Sequence, residues 1–465
     1  MGCCNRRCGL IAGAVFGAVV AILGGILIPV GKIVIEGTVE KETVIEPGTT
    51  AYDSWVSAGA NVYRQFWIFN LKNPVEVLQY GARPVVLEKG PYTYRIRYLP
   101  KENITFNPNH TASFLLPQGA IFEPSMSVGS EEDKITTLNL AVAGAYSLVP
   151  NVLHSVLETM IRTSNSSLFQ HRTVKEMLWG YRDPMLKDTV GLFSTYNGTY
   201  DGYYTVFSGK DDISKVGMID RWRGERSLHF WNDKYCDMIN GTDASAFAPL
   251  LDKKKLIYFF SSDICRSASA QFEASLDLKG IEVYRYTLPP STLASPTVNP
   301  DNRCFCKNPK TTKNCTLAGV LDIGSCQDGN SFTLSLFPHH LNRKACLHVS
   351  APLPPCKYTS KYLGTTGFTM RFAKRIQVNM MYGPSKVITV LKKVKDYTIF
   401  PIVWLNETAS LDDQTADMFK NELISRIRTL ELIQQVLLGT GVAIFALCLI
   451  SYCVLRGRNS QSKLA

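Results

Sequence analysis

Two apolar runs without a charged side chain, residues 9–30 (GLIAGAVFGAVVAILGGILIPV) and 436–455, lie near the two ends of the chain; shorter periods fill the space between them. At about 1.5 Å per residue, either run is long enough as a helix to cross the ~30 Å hydrocarbon core of a bilayer. Arg6 and Arg7 precede the first run, and Arg456, Arg458 and Lys463 follow the second with no acidic residue among them. Basic flanks favour the cytoplasmic side, so both termini are expected there, with residues 31–435 outside the cytoplasm. The first run is longer than a signal-peptide core and lacks a small-x-small cleavage site, which predicts an uncleaved anchor. Gly9, Gly13, Gly17, Ala21 and Gly25 recur every fourth residue and make one helix face small. That face predicts close approach of a second helix, read here as self-association into a homo-oligomer.

Between the runs, two stretches alternate with the period of a strand. Tyr92, Tyr94, Ile96 and Tyr98 share one face against Thr93, Arg95 and Arg97. Later, Phe368, Met370, Phe372, Ile376, Val378 and Met380 oppose Thr369, Arg371, Arg375, Gln377 and Asn379. Long alternating strands this far apart predict one antiparallel sheet or barrel. Residues 66–78 read as a strand running into a turn or short helix at Asn73-Pro74. The middle switches to helical spacing: Val152, Leu153, Val156, Leu157, Met160 and Ile161 form one stripe, and Thr173-Val-Lys-Glu176 has the form of a capping box. A helical insert on a sheet domain follows. Met418, Phe419, Leu423, Ile424, Ile427 and Leu430 form a last stripe, expected to pack in the core.

Composition supports export of the middle segment. Asn103, Asn109, Asn165, Asn197, Asn240, Asn314 and Asn406 each open an Asn-x-Ser/Thr sequon, all between the apolar runs. Of thirteen cysteines, Cys3, Cys4, Cys8, Cys448 and Cys453 lie at the membrane ends, where S-acylation is the expected chemistry. The other eight, Cys236, Cys265, Cys304, Cys306, Cys315, Cys326, Cys346 and Cys356, fall in the exported segment, where disulfides are the default. Zinc is disfavoured at Cys304-Phe-Cys306, because a CxC spacing is unusual for a zinc knuckle.

The formal net charge of +11 is unevenly spread: residues 329–395 hold eleven basic side chains and no acidic one. Such a field can steer anionic ligands; a solvated strand face explains it equally well. No GxSxG, HExxH, P-loop or GxGxxG occurs, so an enzyme, a metal centre and a bound cofactor are not expected.

The segments FWIFNLKNPVEVL (66–78), GPYTYR (90–95), GAIFEPS (119–125), LWGYRDP (178–184), CDMINGTDAS (236–245), NPDNRCFC (299–306), GFTMRFAKRIQVN (367–379) and PIVWLNET (401–408) together resemble the class B scavenger receptors, nearest to their fatty-acid-translocating branch. The resemblance covers nearly the whole chain. It implies an α+β ectodomain: an antiparallel β-barrel-like body with a helical apex at about 139–182, a cysteine-rich region at 236–326 and an internal hydrophobic tunnel. Residues 1–8 and 456–465 would be cytoplasmic tails, with membrane helices at 9–30 and 436–455. It further implies disulfides Cys236–Cys304, Cys265–Cys326 and Cys306–Cys315, and palmitoylation of Cys3, Cys8 and Cys453. The implied ligands are long-chain fatty acids, oxidised lipoproteins and anionic phospholipids, with thrombospondin and collagen outside the cell and Src-family kinases inside. The implied place is the plasma membrane, in rafts or caveolae, with passage through the Golgi.

The chain departs from that pattern at several points. Thr163 and Asn165 stand where the family has apical lysines, which leaves Arg162, Arg172 and Lys175, with His154 and His171, as apical candidates. Residues 106–110, FNPNH, replace the acidic stretch tied to thrombospondin, and residues 337–364 replace a longer acidic stretch of a strand. A lysosomal sorting receptor carrying an acid hydrolase is the alternative within the family, although RGRNSQSKLA contains no acidic dileucine signal. An ecto-enzyme ranks last.

Overall fold

The computed structural model describes residues 6–57, 60–307, 315–316, 319, 321–324, 334–337, 360–363 and 366–461. The chain forms two compact units, one of Met1–Glu42, Lys279–Ile281 and Asp412–Ala465, the other of Thr43–Leu278 and Glu282–Leu411.

The first unit contains helices Arg6–Thr43 (α1) and Ser425–Gln461 (α2), both apolar and long enough to cross a membrane. They pack through the small face of α1. A Cβ added at Gly17 would lie 2.6 Å from the Phe445 backbone nitrogen, and one at Gly24 would lie 2.5 Å from that of Leu438. Only a residue without a side chain permits this approach, the device of close-packed membrane helices. Gln434, almost fully buried, donates its side-chain amide to the Leu27 carbonyl at 2.8 Å, joining the helices. The small face therefore meets the chain's own second helix, whereas Gly9 and Gly25 have no neighbour within 4 Å. In a Cys3→Ser, Cys4→Ser background without acylation, a short bismaleimide is expected to join Cys8 to Cys453 within one chain. Gly17→Leu should reduce the yield severalfold on gels, because a leucine cannot fit against the Phe445 backbone. The membrane-proximal stripe is less buried than its period suggested: Met418 is half exposed.

The second unit is built on an eleven-stranded sheet whose centre is formed by Val62–Leu71 (β1), Val86–Ile96 (β2), Thr369–Tyr382 (β3) and Thr398–Ser410 (β4). The order across these is β3-β4-β1-β2, all antiparallel. Beyond β3 the path continues through Ser360–Leu363, Ile281–Thr287 and Arg266–Leu278 to Ile257–Ser261, and beyond β2 to Ala120–Phe122. Among the described residues no strand pairing joins Ile257–Ser261 to Ala120–Phe122, so no closed barrel is found among them. Strand Ala120–Phe122 is followed by Pro124, which has no N–H and begins a 3₁₀ turn. A separate four-stranded sheet, Glu102–Asn107, Thr111–Gln118, Thr199–Phe207 and Ile219–Trp222, shares the same core: Phe114, Tyr204 and Val206 pack in one cluster with Phe66, Tyr94 and Leu405.

The helical insert is present. Asn139 caps Leu140–Leu148, and Ser147 Oγ donates to the Met381 carbonyl of β3. Thr173 and Glu176 make the reciprocal capping box of Val174–Trp179. Helix His154–Thr163 buries Leu157 and Ile161, but Val156 is 55% exposed, and Val152 in the preceding 3₁₀ turn is 84% exposed. The apolar stripe read from the sequence is thus only half used in packing. The strand period also fails at one position of β2 and at the residue that follows it. Thr93 is fully buried, because Tyr92, Thr93 and Tyr94 are covered from both faces, and Arg97 leaves the strand with φ at +53°.

Candidate functional site

The inner face of the central sheet carries charge where its period calls for apolar residues. Arg64 of β1 is paired with Glu407 of β4, and Glu407 with Lys374 of β3, so the three form one transverse row in register. The next rows on that face are Phe66, Leu405 and Ile376, then Ile68, Val403 and Val378. Glu407 is 1% exposed. Its Oε2 accepts from Arg64 Nε at 2.9 Å and lies 3.1 Å from Lys374 Nζ, and its Oε1 lies 3.5 Å from Arg97 Nε. Lys374 also donates to Asp263, and the Arg64 guanidinium lies 5.7 Å from the Phe193 and Tyr196 ring centroids.

Electrostatics hold this network ionised. Burial alone would raise the Glu407 carboxyl, but Arg64, Lys374 and Arg97 outweigh it and hold the group well below the ordinary glutamate range. Asp263 is likewise raised by burial and lowered further by Lys374 and Arg64, with a net shift downward. Nearby, burial pushes the Asp201 carboxyl up, although it accepts hydrogen bonds from Tyr204 and Ser262. A carboxylate with a depressed folded pKa contributes stability above its unfolded pKa and loses that contribution as pH falls through the folded value. Melting of the full chain is therefore expected to show no loss from Glu407 and Asp263 between pH 7 and 5. The loss should begin below about pH 4, where carboxyls of an unfolded chain take up protons.

Beside the row is a cavity of about 30 Å³ lined by Arg64, Asp263 and Lys374 together with Leu192, Phe193, Ile323, Ile376, Val378 and Leu405. That volume suits a water molecule or two. The combination of apolar wall and fixed cations can hold an anionic group against an apolar body. The signal for this site lay in parity: Lys374 has the even numbering of Phe372 and Ile376, and Arg64 that of Val62 and Phe66. A charge on an apolar face is costly unless paired, and each of these found its partner on a neighbouring strand.

The residues proposed from sequence fall elsewhere. Arg162 is exposed and 3.9 Å from Glu158; Arg172 stacks 3.8 Å from the Tyr181 ring centroid and is 3.7 Å from Glu176; Lys175 pairs with Glu131 at 2.9 Å. Each of these three cations is thus offset by a carboxylate. His154 is buried with Nε2 3.2 Å from the Val149 carbonyl, and His171 is 2.9 Å from Thr136 Oγ1. Asn103, Asn109, Asn165 and Asn197 are exposed, and Asn240 and Asn406 are half-buried. Asn406 donates to Gln65 at 3.2 Å.

Disulfides join Cys236 to Cys304 and Cys306 to Cys315, with Cα atoms 6.1 and 5.9 Å apart. Cys265 is also disulfide-bonded. Cys3, Cys4, Cys326, Cys346, Cys356 and Asn314 lie outside the described residues. Cys8 and Cys453 are exposed thiols, whereas Cys448 packs against Gly13. Asp233 gathers with Cys236 and Cys304 in a group of metal-ligand type, but the disulfide consumes both thiolates that a metal would need.

Two terminal membrane-length helices, with a disulfide-bonded α+β domain between them in the chain and a paired charge row within its sheet, fit a two-span membrane protein. The chain matches the CD36 family over residues 15–452 and belongs to that family. It is 32% identical to lysosome membrane protein 2 of Rattus norvegicus, over 92% of this chain and 91% of that one. It is 31% identical to scavenger receptor class B member 1 of Cricetulus griseus, over 92% and 86%. Lysosome membrane protein 2 of Homo sapiens is 33% identical, over 88% and 87%.

Proposed function

We propose that this protein is a membrane-anchored lipid receptor. Its exported domain binds long-chain fatty acids, oxidised low-density lipoprotein and anionic phospholipids, and facilitates fatty-acid uptake without chemistry on the ligand. The observation that carries this reading is the apolar cavity on the inner face of the sheet, within a chain similar to scavenger receptor class B member 1. A tunnel through a barrel-like body, palmitoylation at Cys3, Cys8 and Cys453, and glycans at the seven sequons belong to the same proposal. So do thrombospondin, collagen and Src-family kinases as partners, and a plasma-membrane location in rafts or caveolae with both termini cytoplasmic.

The test is saturable binding of cis-parinaric acid, a fluorescent fatty acid, to full-length protein in nanodiscs, read against empty nanodiscs. Saturation is expected; a signal equal to that of empty discs overturns the reading. Similarity to lysosome membrane protein 2 favours a second reading, a lysosomal sorting receptor for an acid hydrolase. The exposed apolar side chains Val152 and Val156 offer it a protein-binding face. Tagged protein found at the cell surface favours the first reading, and protein confined to lysosomes favours the second.

A further inference from the structure

The row Arg64, Glu407 and Lys374 differs from the other rows of the inner face in a way that packing alone does not require. Successive residues on one face of a strand are about 7 Å apart along it. The charged row is therefore followed, one step away, by Phe66, Leu405 and Ile376, and two steps away by Ile68, Val403 and Val378. One face thus passes from charged to wholly apolar over about the length of a short acyl segment, and the cavity touches both ends of that gradient. Arg64, Arg97 and Lys374 surround Glu407, Lys374 and Arg64 also act on Asp263, and Asp201 and Asp243 act on Arg97. Lys374 and Arg64 are the two cations of this network that line the cavity, and fixed cations beside an apolar wall can receive the anionic head of an apolar body.

We propose that this row is the head-group end of the lipid site, where Lys374 and Arg64 receive the carboxylate of a single-chain lipid whose chain runs over Ile376 and Val378. The inference rests on the lipid-receptor reading and adds to it the orientation of the ligand, the residues that meet its head and selectivity for charge. The charged end is preformed by its cross-strand pairs. The apolar end, at about 30 Å³, must open by movement of side chains such as Leu192 and Phe193, because an acyl chain needs several hundred Å³.

The experiment uses full-length protein in nanodiscs and measures displacement of cis-parinaric acid by oleate and by oleyl alcohol, which share a chain and differ in head-group charge. Oleate is expected to bind roughly ten- to a hundredfold tighter than the alcohol, the range of a charge-assisted hydrogen bond. In Lys374→Met that ratio should fall towards one, and Lys374→Arg should restore most of it. Equal affinities in the wild-type protein overturn the inference while lipid binding itself stands, and this outcome does not depend on whether Lys374→Met folds. A ratio kept in a folded Lys374→Met variant also overturns it. Failure of the wild-type protein to bind the probe overturns the lipid-receptor reading and the inference with it.

Discussion

Glu407→Gln is expected to lower the stability of the domain between the two membrane-length helices by about 3–5 kcal/mol, the usual result of removing one partner from a buried ion network. The carboxylate is 1% exposed and is shared by Arg64, Lys374 and Arg97, so a neutral amide takes from three cations the carboxylate they share. The substitution preserves the sequon at Asn406, so a change in glycosylation cannot account for the loss. Chemical denaturation of the full-length protein, followed by Trp fluorescence, should show a midpoint shift of that size. An apolar replacement of the whole row, Arg64→Met with Glu407→Leu and Lys374→Met, should recover most of the loss, because buried ion pairs exchanged for well-packed apolar groups are often neutral or stabilising. A single substitution as damaging as predicted, together with a tolerated triple one, would mark the row as retained for function rather than for stability.

Removing the Cys236–Cys304 disulfide is expected to have an effect of the same order. The bridge closes a loop with a sequence separation of 68, against 9 for Cys306–Cys315. Loop-closure entropy grows with the logarithm of loop length, which puts the two at about 4 and about 2.6 kcal/mol. The difference is reinforced by packing: Cys236 is 1% exposed beside Trp231, whose indole N–H donates to the Cys265 carbonyl at 2.8 Å. Cys236→Ala with Cys304→Ala should therefore reduce the yield of mature, glycan-processed protein more than Cys306→Ala with Cys315→Ala does. Endoglycosidase-resistant protein measured on blots gives the comparison, and an equal or inverted order would refute the loop-length argument.

Much of the architecture is legible along the chain because it depends on local periods. The two membrane helices follow from unbroken apolar runs, β3 from its two-residue alternation, and the Thr173–Glu176 capping box from a four-residue motif. The family is legible from motifs spread over nearly the whole length. The helix at His154–Thr163 is less legible. A 3.6-residue stripe says which side chains can share a face but not what covers them, and Val152 and Val156 remain exposed.

Sequence by itself determined the two-span plan, the sheet-forming stretches and the family, since each is encoded in neighbouring residues or in motifs of fixed spacing. Only the tertiary structure decided three other matters. It set the order of the strands across the sheet, and it gave the small face of α1 to the chain's own α2. It also brought Arg64, Lys374 and Glu407 into one row. Arg64 and Glu407 are 343 residues apart in the chain, and no local period registers a pairing at that distance. Such a row exists only once antiparallel strands have settled their register, because a slip of one residue would turn the charges to the opposite face and leave them without partners.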